Sequence, residues 1–573
     1  MGRTELRRSG YPQVELGARG LAHGALAVCR PETTVAQAQR LLQRGQARLL
    51  VVQEGGRIGV VRRRDLRRAQ GFGLARRSVG DVAWWGVPTV SGGTPEVSVR
   101  RLLLAGAPVV LVKERGAVVA AVESLRRGQP PLSLSRRLER LPGETLNLLR
   151  AVGQLAESLG VRAYVAGGFV RDLLRAAPTQ DLDLVVEGNG LALARRLCRQ
   201  LGGNLVVHLA FGSASIEGWA GGRVDVATAR RERYLAPGAL PTVTPANIDE
   251  DLARRDFTVN AMALALTRPA FGQLLDPFGG QRDLRKRRLR ILHPLSFVED
   301  PTRIFRAARY ATRLGLALDR WTRRSLAVAL DLESYPALSG QRLLAEVERI
   351  LSEPGWQESL LTLGRLGAFR LLDRSYRFSP EAAGRLRDLG ELITWADERG
   401  VVLDPVPLVL LCLVGHLPSP RAERWLRRLA LSGEPLARIM EALAEGPSVA
   451  RRLEDHAAAP ASQRAAVMWG RTLETLAFAW LQGSASTRRQ VEWFLAEGRS
   501  VRPLLSGEEL SALGVAKGPA MSRLLRWLRD RRLDGQASSR EEEVRLVREW
   551  LDIRGGTEHN NSGGSTWRLN SSL

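Results

Sequence analysis

Two aspartates one residue apart, Asp181 and Asp183, stand in an otherwise apolar run, Asp181-Leu-Asp-Leu-Val-Val-Glu187. Read as a strand, the run has a period of two, which puts both carboxylates on one face and Leu182 and Leu184 on the other. Like charges side by side repel, and a divalent cation relieves that repulsion; paired Asp is what Mg²⁺ requires from protein. A third carboxylate, Asp225, opposes its flanking valines in Val224-Asp-Val226. Two-metal phosphoryl transfer commonly uses three carboxylates, so the three together are candidate catalytic residues, with Asp181 and Asp183 as the metal ligands. Singly, the Asp-x-Asp is equally a solvated surface pair and Asp225 an edge-strand charge. Upstream, Arg162–Ala166 reads as a short strand, Gly167-Gly168 as a turn and Phe169–Leu174 as a helix. Glycines there let the backbone approach a ligand closely, and the free amides of the helix N-terminus suit a triphosphate.

The elements that must position these groups span about Val161 to Leu266, entered by a helix over Glu144–Leu159. From Ala25 to about Arg127 a helix followed by two apolar strands occurs twice. The strand cores are Leu49–Val52 with Ile58–Val61, then Val109–Val112 with Ala117–Val119. Gly128–Gly143, with Pro130-Pro131, reads as a linker. Beyond about Pro301 apolar spacings of three and four predict helices through about Leu551, and the Gly/Ser/Asn-rich end, Gly555–Leu573, reads as disordered. A chain of 573 residues implies three or four domains.

The formal charge of +25 creates a field that attracts phosphate backbones. Only three of the 85 basic residues are lysines, so arginine-biased codon usage accounts for part of that charge. Cys29, Cys198 and Cys412 are far apart and suggest neither disulfides nor a zinc site, which fits a reducing cytoplasm. The longest apolar run, near Pro407–Val414, is about half a membrane span.

Further segments in the same order are Arg254-Arg-Asp-Phe-Thr-Val-Asn-Ala261, Leu275-Asp-Pro-Phe-Gly-Gly280 and Glu299-Asp-Pro-Thr-Arg-Ile-Phe-Arg-Ala-Ala-Arg309. With Ala166-Gly-Gly-Phe-Val-Arg-Asp172 and Asp181-x-Asp183, this set resembles the class II tRNA nucleotidyltransferases and bacterial poly(A) polymerases, of the polymerase β superfamily. The likeness covers roughly Ala151–Leu372. It implies an α+β fold: a polymerase β-like head with a small mixed sheet, then an all-α neck, body and tail. It also implies a two-metal Mg²⁺ site, ATP and CTP as substrates, and tRNA as partner, gripped at its acceptor end and elbow. The product, whether CCA, CC, A or poly(A), stays open, as does a catalytically retired RNA-binding protein.

By the same resemblance Gly167, Gly168 and Arg171 face phosphates, Arg255 contacts nucleotide, and Asp256 and Asn260 brace the turn and the sugar. Asp300, Arg303, Arg306 and Arg309 match the nucleotide-selecting helix, on which the first three lie along one side and one carboxylate and one guanidinium read a base edge, with Asp300 as the orienting partner of Arg303. Tyr234–Pro245 matches a mobile loop implicated in switching base preference.

The N-terminal repeat resembles a tandem CBS pair, a fold that often binds adenosine nucleotides and in which a Thr or Ser and an Asp three residues later hold the ribose and phosphates. The first copy offers Arg62 and Asp65 and the second Ala121 and Ser124, so a scaffold, a dimerisation surface or an RNA-facing module is expected in preference to a sensor. Long members of the family carry a DHH motif ahead of the CBS pair; that motif does not occur in this sequence. The expected boundaries are a lead over 1–22, the CBS pair over 23–128, a linker over 129–143 and the head over 144–268. A neck over 269–375, a helical body and tail over 376–554 and a disordered end over 555–573 complete them.

Overall fold

Four consecutive apolar residues, Leu49 to Val52, are all buried, as a strand covered on both faces requires. In the computed structural model, which describes residues 26–104, 107–123, 132–178, 181–219, 222–332 and 334–558, β1 (Leu26–Cys29) pairs parallel with β2 (Leu49–Glu54). The Gly55-Gly56 turn returns the chain antiparallel into β3 (Arg57–Arg62), which β4 (Trp84–Trp85) borders. The second copy repeats this topology: β5 (Thr89–Ser91) runs parallel to β6 (Val110–Glu114), which turns back into β7 (Ala117–Val122). In each copy a helix precedes the hairpin, Val35–Arg44 and Glu96–Leu104. Leu49, Val51, Trp84, Val109 and Leu111 share one core, so neither copy buries its apolar face alone.

The head is a seven-stranded mixed sheet containing β8 (Arg162–Ala166), β9 (Asp181–Glu187), β10 (Asn204–His208), β11 (Ser213–Trp219) and β12 (Gly222–Thr228). After a separate two-stranded hairpin, β13 (Arg230–Arg233) and β14 (Thr242–Pro245), it is completed by β15 (Ala263–Ala265) and β16 (Leu274–Leu275). The strand order is β10-β11-β12-β9-β8-β15-β16. Helices Gly143–Ser158 and Gly190–Leu201 cover one face, where Val152, Leu184, Leu193 and Val226 form the main core. Leu134 and Leu138 are buried in that core as well, which anchors a helical turn, Ser135–Leu138, within the stretch that reads as a linker.

The chain divides into two compact units, Met1–Tyr376 and Arg377–Leu573. In the first, the CBS pair is docked on the neck. Trp84 meets Trp321 edge to face at 5.1 Å, Trp321 Nε1 donates to Trp85 O, and Arg77 pairs with Asp331. The second unit is helical, from Pro380–Glu398 to Arg540–Glu558. Its apolar helix Pro405–Val414 is buried from Leu408 onward, so the longest apolar run is core. No helix among the described residues is long and apolar enough to cross a membrane. The last helix includes Gly555–Glu558, part of the stretch expected to be disordered; residues 559–573 lie outside the described residues.

Candidate active site

The candidate reaction centre lies where β8 turns into helix Gly168–Arg175. Gly167 makes that turn at φ 73° and ψ −130°, a conformation that side chains other than glycine's disfavour. A Cβ built on Gly167 would lie 2.8 Å from Arg255 Nη1 and 3.1 Å from Asp183 Oδ2, so a carboxylate and a guanidinium both close over the bare backbone. The parallel pairing of β9 with β12 sets Asp183 directly beside Asp225, and Asp181 beside Arg223. The side chain of Asp181 lies outside the described residues. Asp225 is already held: Oδ1 accepts from Ser215 Oγ at 2.5 Å, and Oδ2 accepts from Arg223 Nε at 3.0 Å and Nη2 at 2.6 Å. Oδ1 keeps one lone pair beside the Ser215 bond, through which Asp225 could serve as a third metal ligand.

Among the described residues no group of three His, Cys, Asp or Glu side chains is gathered for a metal. The donor set nonetheless fits Mg²⁺, which binds through one or two carboxylates and takes its remaining ligands from water and substrate phosphates.

One cavity of about 1150 Å³ joins Gly167, Gly168, Asp183 and Asp225 to Arg171, Arg255, Asp256, Asn260, Asp300, Arg303, Arg306 and Arg309. A charged relay forms one wall. The buried Arg171 donates from Nε and Nη2 to Asp172 and from Nη1 to Asn260 Oδ1 at 2.8 Å. Asn260 donates to Asp256 Oδ1, and Arg306 Nε donates to Asp256 Oδ2 at 2.8 Å. Burial alone would raise the Asp256 pKa, but Arg306 and Asn260 hold it below the usual carboxylate range. Asp251, fully buried, is likewise held down against burial by Arg255 and Arg254. Arg255 Nε is buried without an acceptor, an unsatisfied donor at the glycine turn of the kind an anionic ligand would satisfy.

Two expectations for the selecting residues need correction. Asp300 is not on the helix: it is extended, with φ −137° and ψ 95°, between Ser296–Glu299 and Thr302–Leu314. The cause is Pro301, whose ring disfavours helical backbone in the preceding residue. Nor does Asp300 orient Arg303. Its Oδ1 accepts from Thr302 N, from Thr302 Oγ1 and from Arg342 Nη2 at 2.8 Å. Arg303 is held separately, by Ser296 Oγ at 2.8 Å, Arg254 O at 3.0 Å and Tyr234 Oη at 3.2 Å.

Arg309 is almost buried and pairs with Glu346 and Glu353, so it braces the neck helices. Tyr310 is a hub that sequence reasoning missed: Arg171, Arg306, Arg309 and Arg313 lie 5.2–5.7 Å from its ring centre. The expected loop is partly regular, since Thr242–Pro245 pairs with Arg230–Arg233. Its tip is tied to the selecting residues, with Gly238 N donating to Glu299 O and Gly238 O accepting from Arg342 Nη1.

In the CBS pair Asp65 is buried and accepts from Arg62 Nε at 3.1 Å. Only Oδ2 is engaged in this way; Oδ1 is buried without a hydrogen-bond partner. Ser124 lies outside the described residues.

Sheet, glycine turn and paired strands define a nucleotidyltransferase head on a helical neck. The Poly A polymerase head domain family matches residues 163–290, and the CBS domain family matches 21–71. An A-adding tRNA nucleotidyltransferase of Halalkalibacterium halodurans is 31% identical over 72% of this chain and 94% of its own length. One from Geobacter sulfurreducens is 30% identical over 90% of this chain, which spans 62% of that relative's length. Two solved structures superpose over 74% of this chain and all of theirs. An apo CCA-adding enzyme does so with TM-score 0.66 at 32% identity, and the Thermotoga maritima CCA-adding enzyme complexed with tRNA_CCA with 0.62 at 30%. This chain therefore belongs to the tRNA nucleotidyltransferase and poly(A) polymerase family.

Proposed function

We propose that this protein adds nucleotides to the 3′ end of tRNA by metal-dependent, template-independent transfer from ATP or CTP. The observation that carries the reading is the single cavity in which Asp183 and Asp225, in register, face the Gly167 turn and the arginine-rich helix Thr302–Leu314. The tRNA 3′-hydroxyl attacks the α-phosphorus, the new phosphodiester forms, and pyrophosphate leaves. Asp181 and Asp183 would hold Mg²⁺, which would supply Lewis-acid activation of the hydroxyl and charge stabilisation for the leaving pyrophosphate. Gly167 and Gly168 bring backbone amides against the triphosphate, with Arg255 and Arg171 as cationic partners; Arg171 exchanges part of its contact with Asp172 for phosphate. Asp300 and Arg303, fixed independently, offer an acceptor and donors to a base edge.

Both relatives described above are A-adding enzymes, which favours addition of the terminal A to a tRNA ending in CC. Complete CCA addition is the second reading, favoured by the CCA-adding structures. The basic helical surface holds the tRNA acceptor end and elbow by shape and phosphate contacts, in the cytoplasm. The CBS pair acts as a docked scaffold, because Arg62 and Ala121 stand where a Thr or Ser would hold a nucleotide and Trp84 packs the module on Trp321 of the neck. The test offers tRNAs ending in the discriminator base, C or CC with ATP or CTP in Mg²⁺. Addition of one A to the CC end supports the first reading, and stepwise completion from the discriminator supports the second. No addition to any of the three ends refutes both.

A further inference from the structure

We infer that Arg68, on the CBS pair, is a positioning residue for nucleotide selection, acting on Asp300 and Arg303 through Glu299. The inference rests on the functional reading above.

Arg68 lies on helix Arg63–Gly71, and its Nε meets Glu299 Oε1 at 2.7 Å. Glu299 immediately precedes Asp300 and is 4% exposed. Its other oxygen, Oε2, is 3.0 Å from His293 Nε2 and 3.9 Å from Arg303 Nη1. Its backbone carbonyl accepts from Gly238 N, and the carbonyl of Gly238 accepts from Arg342, the residue that holds Asp300. One carboxylate from the neck is thus bound on one side by the CBS module and bordered on the other by Arg303, one of the groups that read the base.

Removing the partner of a buried ion pair leaves an uncompensated charge. Burial pushes the His293 imidazole well below its usual pKa, so at neutral pH the ring donates a hydrogen bond without carrying charge. Arg303 is too far for a direct hydrogen bond. That leaves Arg68 as the cation in direct contact with Glu299. Without it, Glu299 turns to Arg303 and draws that guanidinium off Ser296, Tyr234 and the Arg254 carbonyl, the three partners that aim it. The remaining polar contacts between the CBS pair and the neck, Arg77 with Asp331 among them, reach the region of helix Arg320–Leu330 instead. They dock the module without touching the selecting groups.

The test compares the full chain with Arg68→Ala, Arg68→Lys and the docking control Arg77→Ala, measuring kcat and KM for all four triphosphates on the tRNA end that the parent extends. Arg68→Ala is expected to lower the ratio of kcat/KM for the correct over the incorrect nucleotides by about 5-fold or more, the lower end of typical coupling between sites. Arg68→Lys restores most of that ratio, and Arg77→Ala leaves it unchanged although it weakens the same interface. Should Arg68→Ala fail to fold, Arg68→Gln carries the same expectation. Parent-like ratios in an active Arg68→Ala or Arg68→Gln chain overturn the inference alone, as does an equal loss in Arg77→Ala. A parent chain that transfers no nucleotide overturns the functional reading and the inference with it.

Discussion

Replacing Arg342 by alanine should make the enzyme misread its nucleotide while sparing the transfer step. Arg342 lies on helix Gly340–Leu351 and donates to Asp300 Oδ1 at 2.8 Å and to Gly238 O at 2.7 Å. The two charged side chains are 22% and 17% exposed, so solvent screens the pair only in part. A hydrogen bond to a charged group in that setting contributes about 1.5–3 kcal/mol. Thr302 still donates twice to Asp300, so the carboxylate stays at the cavity wall but loses the contact that sets its direction. If its direction decides which base is accepted, discrimination falls by about 1–3 kcal/mol, or roughly 5-fold to 150-fold. Asp183 and Gly167 are untouched, so kcat with saturating correct nucleotide should stay within about threefold of the parent. The assay is kcat/KM for all four triphosphates on one tRNA, for Arg342→Ala and Asp300→Ala in parallel. Unchanged ratios in both would refute base reading by Asp300. A change in Asp300→Ala alone would show that Arg342 does not orient it.

Gly167→Ala places a methyl group at φ 73° against Arg255 and Asp183, and activity should fall about 100-fold or more with circular dichroism unchanged; activity within tenfold would remove the turn from the reaction centre. His293 supplies a pH dependence. Its folded pKa is depressed by burial, so below the unfolded value of about 6.5 the unfolded chain binds the extra proton and stability falls with pH, by up to about 1.4 kcal/mol per unit. Denaturant unfolding of the parent between about pH 7 and pH 5 should show such a slope, to which His416, also depressed by burial, adds, and His293→Gln should make it shallower; equal slopes would contradict the assignment.

Local patterns carried some of this architecture and missed the rest for identifiable reasons. Strands β8 and β9 fall at Arg162–Ala166 and Asp181–Glu187, as the sequence reading places them, because period-two alternation and the glycine turn are local signals. The repeated CBS topology and the helical run beyond Pro301 were legible for the same reason. The extended backbone of Asp300 was available from the following proline, but was overridden by the regular spacing of Arg303, Arg306 and Arg309. Asp251 could have been found from its spacing to Arg254 and Arg255, which suits ion pairs on one helical turn. Arg342 could not: it reaches Asp300 from 42 residues away, and nothing in its neighbourhood marks it. Tyr310 and the contact between Arg68 and Glu299 are likewise products of tertiary packing. The hairpin of β13 and β14 was hidden because Pro241 precedes the short strand Thr242–Pro245 and Pro245 ends it, and both suggest loop.

The most direct test of the whole account is nucleotide addition by the parent chain and by Asp183→Ala, with a tRNA ending in CC, ATP and Mg²⁺, alongside tRNA affinity measured on both proteins. The account predicts that the parent adds A and that Asp183→Ala adds none, while tRNA binding stays within about threefold because the phosphate contacts lie on other basic surfaces. Near-parent turnover by Asp183→Ala would contradict the placement of the reaction centre at β9 and the Gly167 turn.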